Sequence, residues 1–261
     1  MNGFESHKID HGSASMINDA INNPAKFIAS RCLGVQWNMN SHVDRGAAIE
    51  HGIEQVILGG LSFEDGLTEA YEVYDKLVGM RLTDRALEQN RDRIKPSMQL
   101  GIEALKEYGE PLVAEIDPLR PDRPAQHKVV INCKTEQWVL PIWGYLDFVF
   151  PETKTIIDLK TTSRIPNTMS REHQRQRAIY AAAKPGWAVK FLYVSSASTV
   201  TLEDGDIPQI MSDIKKALIR FERFLALGGA EFLASIIPMD PQDPEFNTPE
   251  RREVLRTIFG F

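Results

Sequence analysis

The sequence predicts an α/β fold, a central mixed β-sheet flanked by helices and preceded by a helical N-terminal part. Two observations predict it. Through roughly residue 110, apolar residues recur at helical spacing. Beyond that point, short runs rich in β-branched and aromatic residues are separated by turn-like segments, the pattern of strands. Helical patterns then follow the later runs, so helices are available to bury both faces of the sheet.

Each element follows from local signals. Ser15 is the expected cap before Met16, and Ser62 the cap before Phe63. Between them, Val43 to Leu58 carries Ile49, Ile53, Val56 and Ile57 at helical spacing. A third helical region follows Thr83, restarts around Pro96 and ends near Gly109. Strands are expected at Leu112–Ile116, Lys128–Cys133, Trp138–Phe150, Thr155–Leu159 and Val189–Val194. A helix over Met169–Ala183 separates the last two, and another covers Ile207–Leu227. Pro238 to Pro244 reads as a proline-punctuated arm, and Thr248-Pro-Glu starts a final helix with Pro in its first turn. The expected organisation is one domain over 1–237, helical over 1–110 with its sheet core at 111–237, followed by the arm and short helix at 238–261.

Composition narrows the class. With 261 residues and 43% hydrophobic content, the chain can bury a sizeable core. It has no apolar run of about 18 residues and no basic-then-apolar start, so a soluble, cytoplasmic protein without membrane association is expected. Two cysteines, Cys32 and Cys133, cannot build a disulfide framework or a four-cysteine cluster. The net charge of −6 is unlike a protein that coats nucleic acid by overall basicity. Charge is uneven, however: from Lys154 to Lys190 eight cations face two acids, so this stretch is +6 and the rest of the chain −12. Such a strip can take up an anionic polymer locally, or it can be a solvated arginine-rich helix face.

The chemistry gathers on one hairpin. If the turn Pro151-Glu-Thr-Lys154 closes symmetrically, Asp147 lies opposite Asp158. Opposed residues in an antiparallel pair have Cβ atoms about 4.5 to 5.5 Å apart, where like charges repel. A hard divalent cation, Mg²⁺ or Mn²⁺, is the natural counter-charge for two carboxylates. Lys160 shares strand parity with Asp158 and so its face. Metal and ammonium converging on one point suit phosphodiester hydrolysis, in which the ion activates water and the lysine stabilises developing charge. The alternative is that both acids are solvated on amphipathic strands and Lys160 merely pairs Asp158. A bulge that shifted the register by one residue would also end the facing arrangement.

Gly144-x-x-Asp147, ten intervening residues and Asp158-x-Lys160 resemble the second and third motifs of the RecB-type PD-(D/E)XK nucleases. Gln176-Arg-Ala-Ile-Tyr180 is similar to the Gln-x-x-x-Tyr motif of the same branch, and a spacing of four puts both side chains on one helical face. Gly46-Ala-Ala-Ile-Glu50 matches an upstream Gly-x-x-x-Glu helix. Glu50 shares a face with Ile53 and Ile57, where a bare carboxylate needs a partner, while His51 lies roughly 100° further round. Together these span about Ser13 to Tyr193. The resemblance implies a restriction-endonuclease-like core and a DNA exonuclease of recombination, repair or phage DNA processing. It implies that Asp147, Asp158, the Leu159 carbonyl and Glu50 hold the metal, that Lys160 assists the nucleophile, and that Gln176 and Tyr180 orient site or substrate. Endonuclease activity of a structure-specific or restriction-like kind, and a silent nucleic-acid-binding subunit, remain as alternatives. Implied partners are DNA, a single-strand annealing or recombination protein, and further copies of the chain. Three departures stand out: Asp158 occupies a position more commonly Glu, the cysteines of the iron-sulfur relatives are absent, and no helicase motif is present.

Arg164, Arg171, Arg175 and Arg177 are candidate phosphate contacts, with His173 one turn before Gln176. Tyr145 shares the parity of Asp147 and is a candidate to stack on a base, whereas Trp143 is expected to pack. Glu115 is expected to be an edge-strand acid facing water.

Overall fold

The computed structural model describes residues 2–36, 41–79, 86–114, 126–131 and 140–261. Its helices are α1 (Gly3–Ser6), α2 (Ala14–Asn22), α3 (Pro24–Phe27), α4 (Ser41–Ile57), α5 (Phe63–Val78), α6 (Leu87–Asp92), α7 (Ile94–Lys106), α8 (Arg171–Ala183), α9 (Ile207–Leu225), α10 (Ala230–Ile236) and α11 (Pro249–Val254). Its strands are β1 (His127–Ile131), β2 (Ile142–Leu146), β3 (Phe148–Phe150), β4 (Thr155–Thr161), β5 (Ala188–Val194) and β6 (Thr199–Leu202). The chain is mixed α/β, with a four-stranded sheet in the order β3-β4-β5-β6 and a two-stranded pair of β1 and β2. β3 and β4 are antiparallel, β4 and β5 parallel, and β5 and β6 antiparallel. The parallel pair needs a crossover, which α8 supplies. No helix among the described residues is long and apolar enough to cross a membrane.

Cα packing divides the chain into two units. One comprises residues 1–38, 130–144 and 206–261, the other 39–129 and 145–205. In the first, Phe221 of α9 meets Phe4 and Phe27 at ring-centroid distances of 6.3 and 4.6 Å. The ring of Trp143 stacks on that of His11 at a centroid distance of 3.9 Å. The residues beyond 238 lie in this unit.

The second unit holds the four-stranded sheet. Ile157, Leu159, Leu192 and Val194 share a core with Ile49 and Ile53 of α4, Tyr74 of α5, and Met98 and Ile102 of α7. The opposite parity of the same strands carries Ile156, Asp158, Val189, Phe191 and Tyr193, all buried, and α8 packs against β5. Both faces are therefore covered, which is why the two strands read as nearly unbroken apolar runs.

Several boundaries differ from expectation for identifiable reasons. Ser13, not Ser15, caps α2, accepting from the Met16 amide at 3.1 Å. α7 restarts at Ile94, with Pro96 in its first turn, where a missing N–H is no loss. Leu112 to Ala114 form no strand, although the Leu112 amide donates to the Val149 carbonyl at 2.7 Å. The long strand expected to end at Phe150 is broken at Asp147 into β2 and β3. β6 was not expected, because Thr199–Leu202 is short, half-exposed and preceded by a serine-rich turn. Glu115, Cys133 and Trp138 lie outside the described residues.

Candidate active site

The hairpin closes symmetrically. Phe148 pairs with Ile157, Val149 with Ile156 and Phe150 with Thr155, and Asp147 and Asp158 are the residues one position beyond this ladder on the two strands. Asp147 leaves the ladder there and its side chain takes over from the backbone, with Oδ2 accepting from the Leu159 amide at 2.9 Å. Asp147 is 8% exposed and Asp158 only 1%. Burial, then Asp158 and Glu50, drive the Asp147 carboxyl well above the ordinary aspartate range, with Lys160 and the Leu159 amide opposing. Burial also raises Asp158, against the pull of Lys160.

Lys160 lies two residues on, forms an ion pair with Asp158 Oδ2 and is about one quarter exposed at 26%. Burial pulls its ammonium toward neutrality, but Asp158 and Asp147 outweigh this and keep it charged. Apart from that ion pair, Asp158 Oδ2 is a buried oxygen with no hydrogen-bond partner among the described residues. Gln176 Nε2 donates to Asp158 Oδ1 at 2.8 Å and lies 2.9 Å from Tyr180 Oη, whose hydroxyl donates to the Tyr145 carbonyl at 2.8 Å. Burial holds the Tyr180 phenol well above its usual pKa, so it remains a donor at neutral pH.

Glu50 arrives from the other side of the sheet, on α4. Gln126 joins it to Asp147: its Nε2 lies 2.8 Å from Glu50 Oε1 and 3.3 Å from Asp147 Oδ1. Gln126 belongs to no motif and carries no spacing signal, which is why it was not among the expected site residues. Gly46 explains how α4 comes so close, since a Cβ there would stand 2.8 Å from Thr161 Oγ1 at the end of β4. Gly46→Ala is expected to slow catalysis by roughly tenfold by pushing Glu50 out of place. Stability should change little, since ~1 kcal/mol of added helix propensity offsets much of the ~1–3 kcal/mol overpacking penalty. Adding Thr161→Ala removes the obstructing oxygen and should restore the rate; a double variant as slow as the single would exclude this cause.

The cations of the basic strip sit in different surroundings. Arg177 donates to the backbone carbonyls of Val189, Asp204 and Gly205, at 2.8, 3.3 and 3.4 Å, and so fastens α8 to its surroundings. His173 Nδ1 lies 2.6 Å from Tyr193 Oη, and burial, helped by Lys160, lowers its pKa to about 4, leaving it neutral. Tyr145 joins the network through its carbonyl. Arg164 and Arg171 are exposed. His51 turns to Glu69, 3.6 Å away, and not to the aspartates.

The donor set suits a hard divalent cation. Asp147, Asp158 and Glu50 bring oxygen ligands of the kind such ions prefer, and Asp158 Oδ2 is buried without a proper hydrogen-bond partner. Among the described residues, these three acids face the single ammonium of Lys160, so with every carboxyl ionised the group would carry an excess charge of −2, which one divalent cation cancels. Among the described residues, no three His, Cys, Asp or Glu side chains are gathered closely enough to form a ready cation cage.

Sheet order, helical flanks and acid pair define an α/β protein of restriction-endonuclease-like build. The sequence profile of the PD-(D/E)XK nuclease superfamily matches residues 11–227, and the chain belongs to that superfamily. No curated protein matches it in sequence. Among solved structures, the crystal structure of SSO0001 is similar over 75% of this chain and 84% of its own, with 12% identity and a TM-score of 0.32.

Proposed function

We propose that this chain is a Mg²⁺- or Mn²⁺-dependent exonuclease that hydrolyses DNA from its ends, in recombination, repair or phage DNA processing. The observation that carries the metal-dependent reading is the buried Asp147–Asp158 pair, two neighbouring carboxyls whose ionised forms burial disfavours and a bound divalent cation would favour. Preference for DNA ends rests on the similarity of Gly144-x-x-Asp147, Asp158-x-Lys160 and Gln176-x-x-x-Tyr180 to the RecB-like branch.

Asp147 and Asp158 would hold the cation, with the Leu159 carbonyl and Glu50 completing or supporting its shell. A bound divalent ion supplies polarisation of the phosphoryl oxygen and a more acidic water. Lys160 keeps its proton, so its ammonium can orient that water and stabilise charge building on the phosphate oxygens. Gln176 holds the Asp158 carboxylate in one orientation, and Tyr180 in turn holds Gln176. Arg171 and Arg175, on the first turns of α8, are the remaining candidates there for strand phosphates.

End-labelled linear DNA and covalently closed circles, incubated with Mg²⁺, with Mn²⁺ or with chelator, test this reading. Nucleotides should be released from linear DNA alone, chelator should stop the reaction, and Asp158→Ala should be slower by about 10³-fold. Inertness toward every substrate would remove the enzyme reading, and cutting of closed circles would replace the exonuclease with an endonuclease.

A further inference from the structure

Arg45, near the start of α4, is 3% exposed, yet no carboxylate among the described residues pairs with it. Its one hydrogen bond runs from Nη1 to Asn90 Oδ1 at 2.9 Å, and Asn90 Nδ2 donates in turn to Ser41 Oγ at 2.8 Å. That chain is neutral. It fixes the guanidinium in place but brings no counter-charge, and the neighbouring ion that acts on it most is another cation, Arg93. A buried, uncompensated guanidinium is unfavourable unless an anion completes it.

The space for that anion is present. Arg45 lines a cavity of about 740 Å³ together with Arg164, Thr162, Ser163, Glu50 and Lys160. Arg93 Nη1 approaches Ser163 Oγ at 3.5 Å, adding a third guanidinium to the loop that carries Arg164. The planar fork of arginine matches paired phosphate oxygens, and most of its donors here are not used by the described residues. Cations on one part of the wall and the acid-lysine group on another are what a polyanion needs if one phosphate is to be gripped while its neighbour is attacked.

We propose that this cavity is a second phosphate subsite, in which Arg45 and Arg164 hold a backbone phosphate of the bound strand beside the one that is hydrolysed. That the phosphate belongs to nucleic acid rests on the nuclease reading above; that the cavity binds phosphate does not.

The test uses the full chain in chelator, where cleavage plays no part. Inorganic phosphate, with chloride at equal ionic strength as control, is titrated by calorimetry and by thermal melting against the wild type, Arg45→Gln and Arg164→Gln. The wild type should bind phosphate and melt higher in it, with affinity about tenfold lower or weaker still in each variant. Without phosphate, Arg45→Gln should melt no lower than the wild type, because it removes an unbalanced buried charge; an arginine kept only for structure would give the opposite. For a single-stranded oligonucleotide, Arg45→Gln should also reduce the salt slope of binding by about one. No phosphate binding by the wild type, or unchanged affinity in both variants, would overturn the proposal. Arg164 is exposed, so its variant keeps the test decisive should Arg45→Gln fail to fold. Phosphate binding without cleavage of any DNA would leave the subsite standing and end the nuclease reading, and cleavage without phosphate binding would do the reverse.

Discussion

Asp147→Asn is expected to melt at a higher temperature than the wild type in chelator while cutting DNA about 10³-fold more slowly, the scale of losing one charge-stabilising group at such a site. The two effects share one cause. Burial, Asp158 and Glu50 all disfavour the ionised Asp147 carboxyl, so an amide of the same shape relieves the free protein. Its oxygen can still accept the Leu159 amide that Asp147 Oδ2 holds at 2.9 Å. The gain should be about 1 to 2 kcal/mol, toward the lower end of what replacing buried charges has given elsewhere. Dependence on pH gives a second check. With its pKa raised in the folded state, Asp147 keeps a proton that the unfolded chain has already released. Its contribution to stability therefore falls as pH climbs from the ordinary aspartate value of 3.8 toward the raised one. The Asn variant should lack that slope. Mg²⁺ should then separate the two proteins in the other direction, raising the melting temperature of the wild type but not of the variant. A variant less stable than the wild type in chelator would mean that the aspartate is held for structure.

The hairpin was legible because its information is local. A four-residue turn between two apolar runs fixes the register, and strand parity then puts Lys160 with Asp158 without knowledge of anything distant. Gln176 and Tyr180 were readable for the same reason, as i and i+4 on one helix. Contacts joining distant parts of the chain were not. Gln126 meets Glu50 across 76 positions and Asp147 across 21, and nothing in its neighbourhood marks it. Arg45 stands beside Gly46 in a recognised motif, but its interest comes from being buried with no carboxylate partner among the described residues, a property of packing and not of sequence. Arg177 shows the converse failure. Counted by charge it belonged to a phosphate-binding strip, yet three backbone carbonyls claim it. Formal charge shows what a side chain can attract, and folding decides whether it is free to do so.

Lys160→Met should remove activity by about 10² to 10³-fold, as Asp147→Asn does, but with the opposite effect on stability. Lys160 is the one cation the described contacts place against Asp158, and its own ammonium is stabilised by Asp158 and Asp147 against the opposing pull of burial. Deleting it leaves Asp158 Oδ2 buried with no counter-charge, a loss of ~2 kcal/mol on the scale of an unmatched buried polar group. In the wild type this contribution is complete below the lysine's ordinary value of 10.5 and is lost only as pH rises through the raised folded value, so it is fully present at neutral pH. The deficit of the variant should shrink on acidification, because protonating the aspartates removes the charge that Lys160 balances. It should also shrink when a divalent cation is added, since lysine and metal answer the same excess of negative charge. Melting curves of the wild type and Lys160→Met at pH 5 and 8, with chelator and with Mg²⁺, measure all of this. A deficit unchanged by pH and by Mg²⁺ would mean that Lys160 supports packing alone, and the electrostatic account of the acid pair would fail with it.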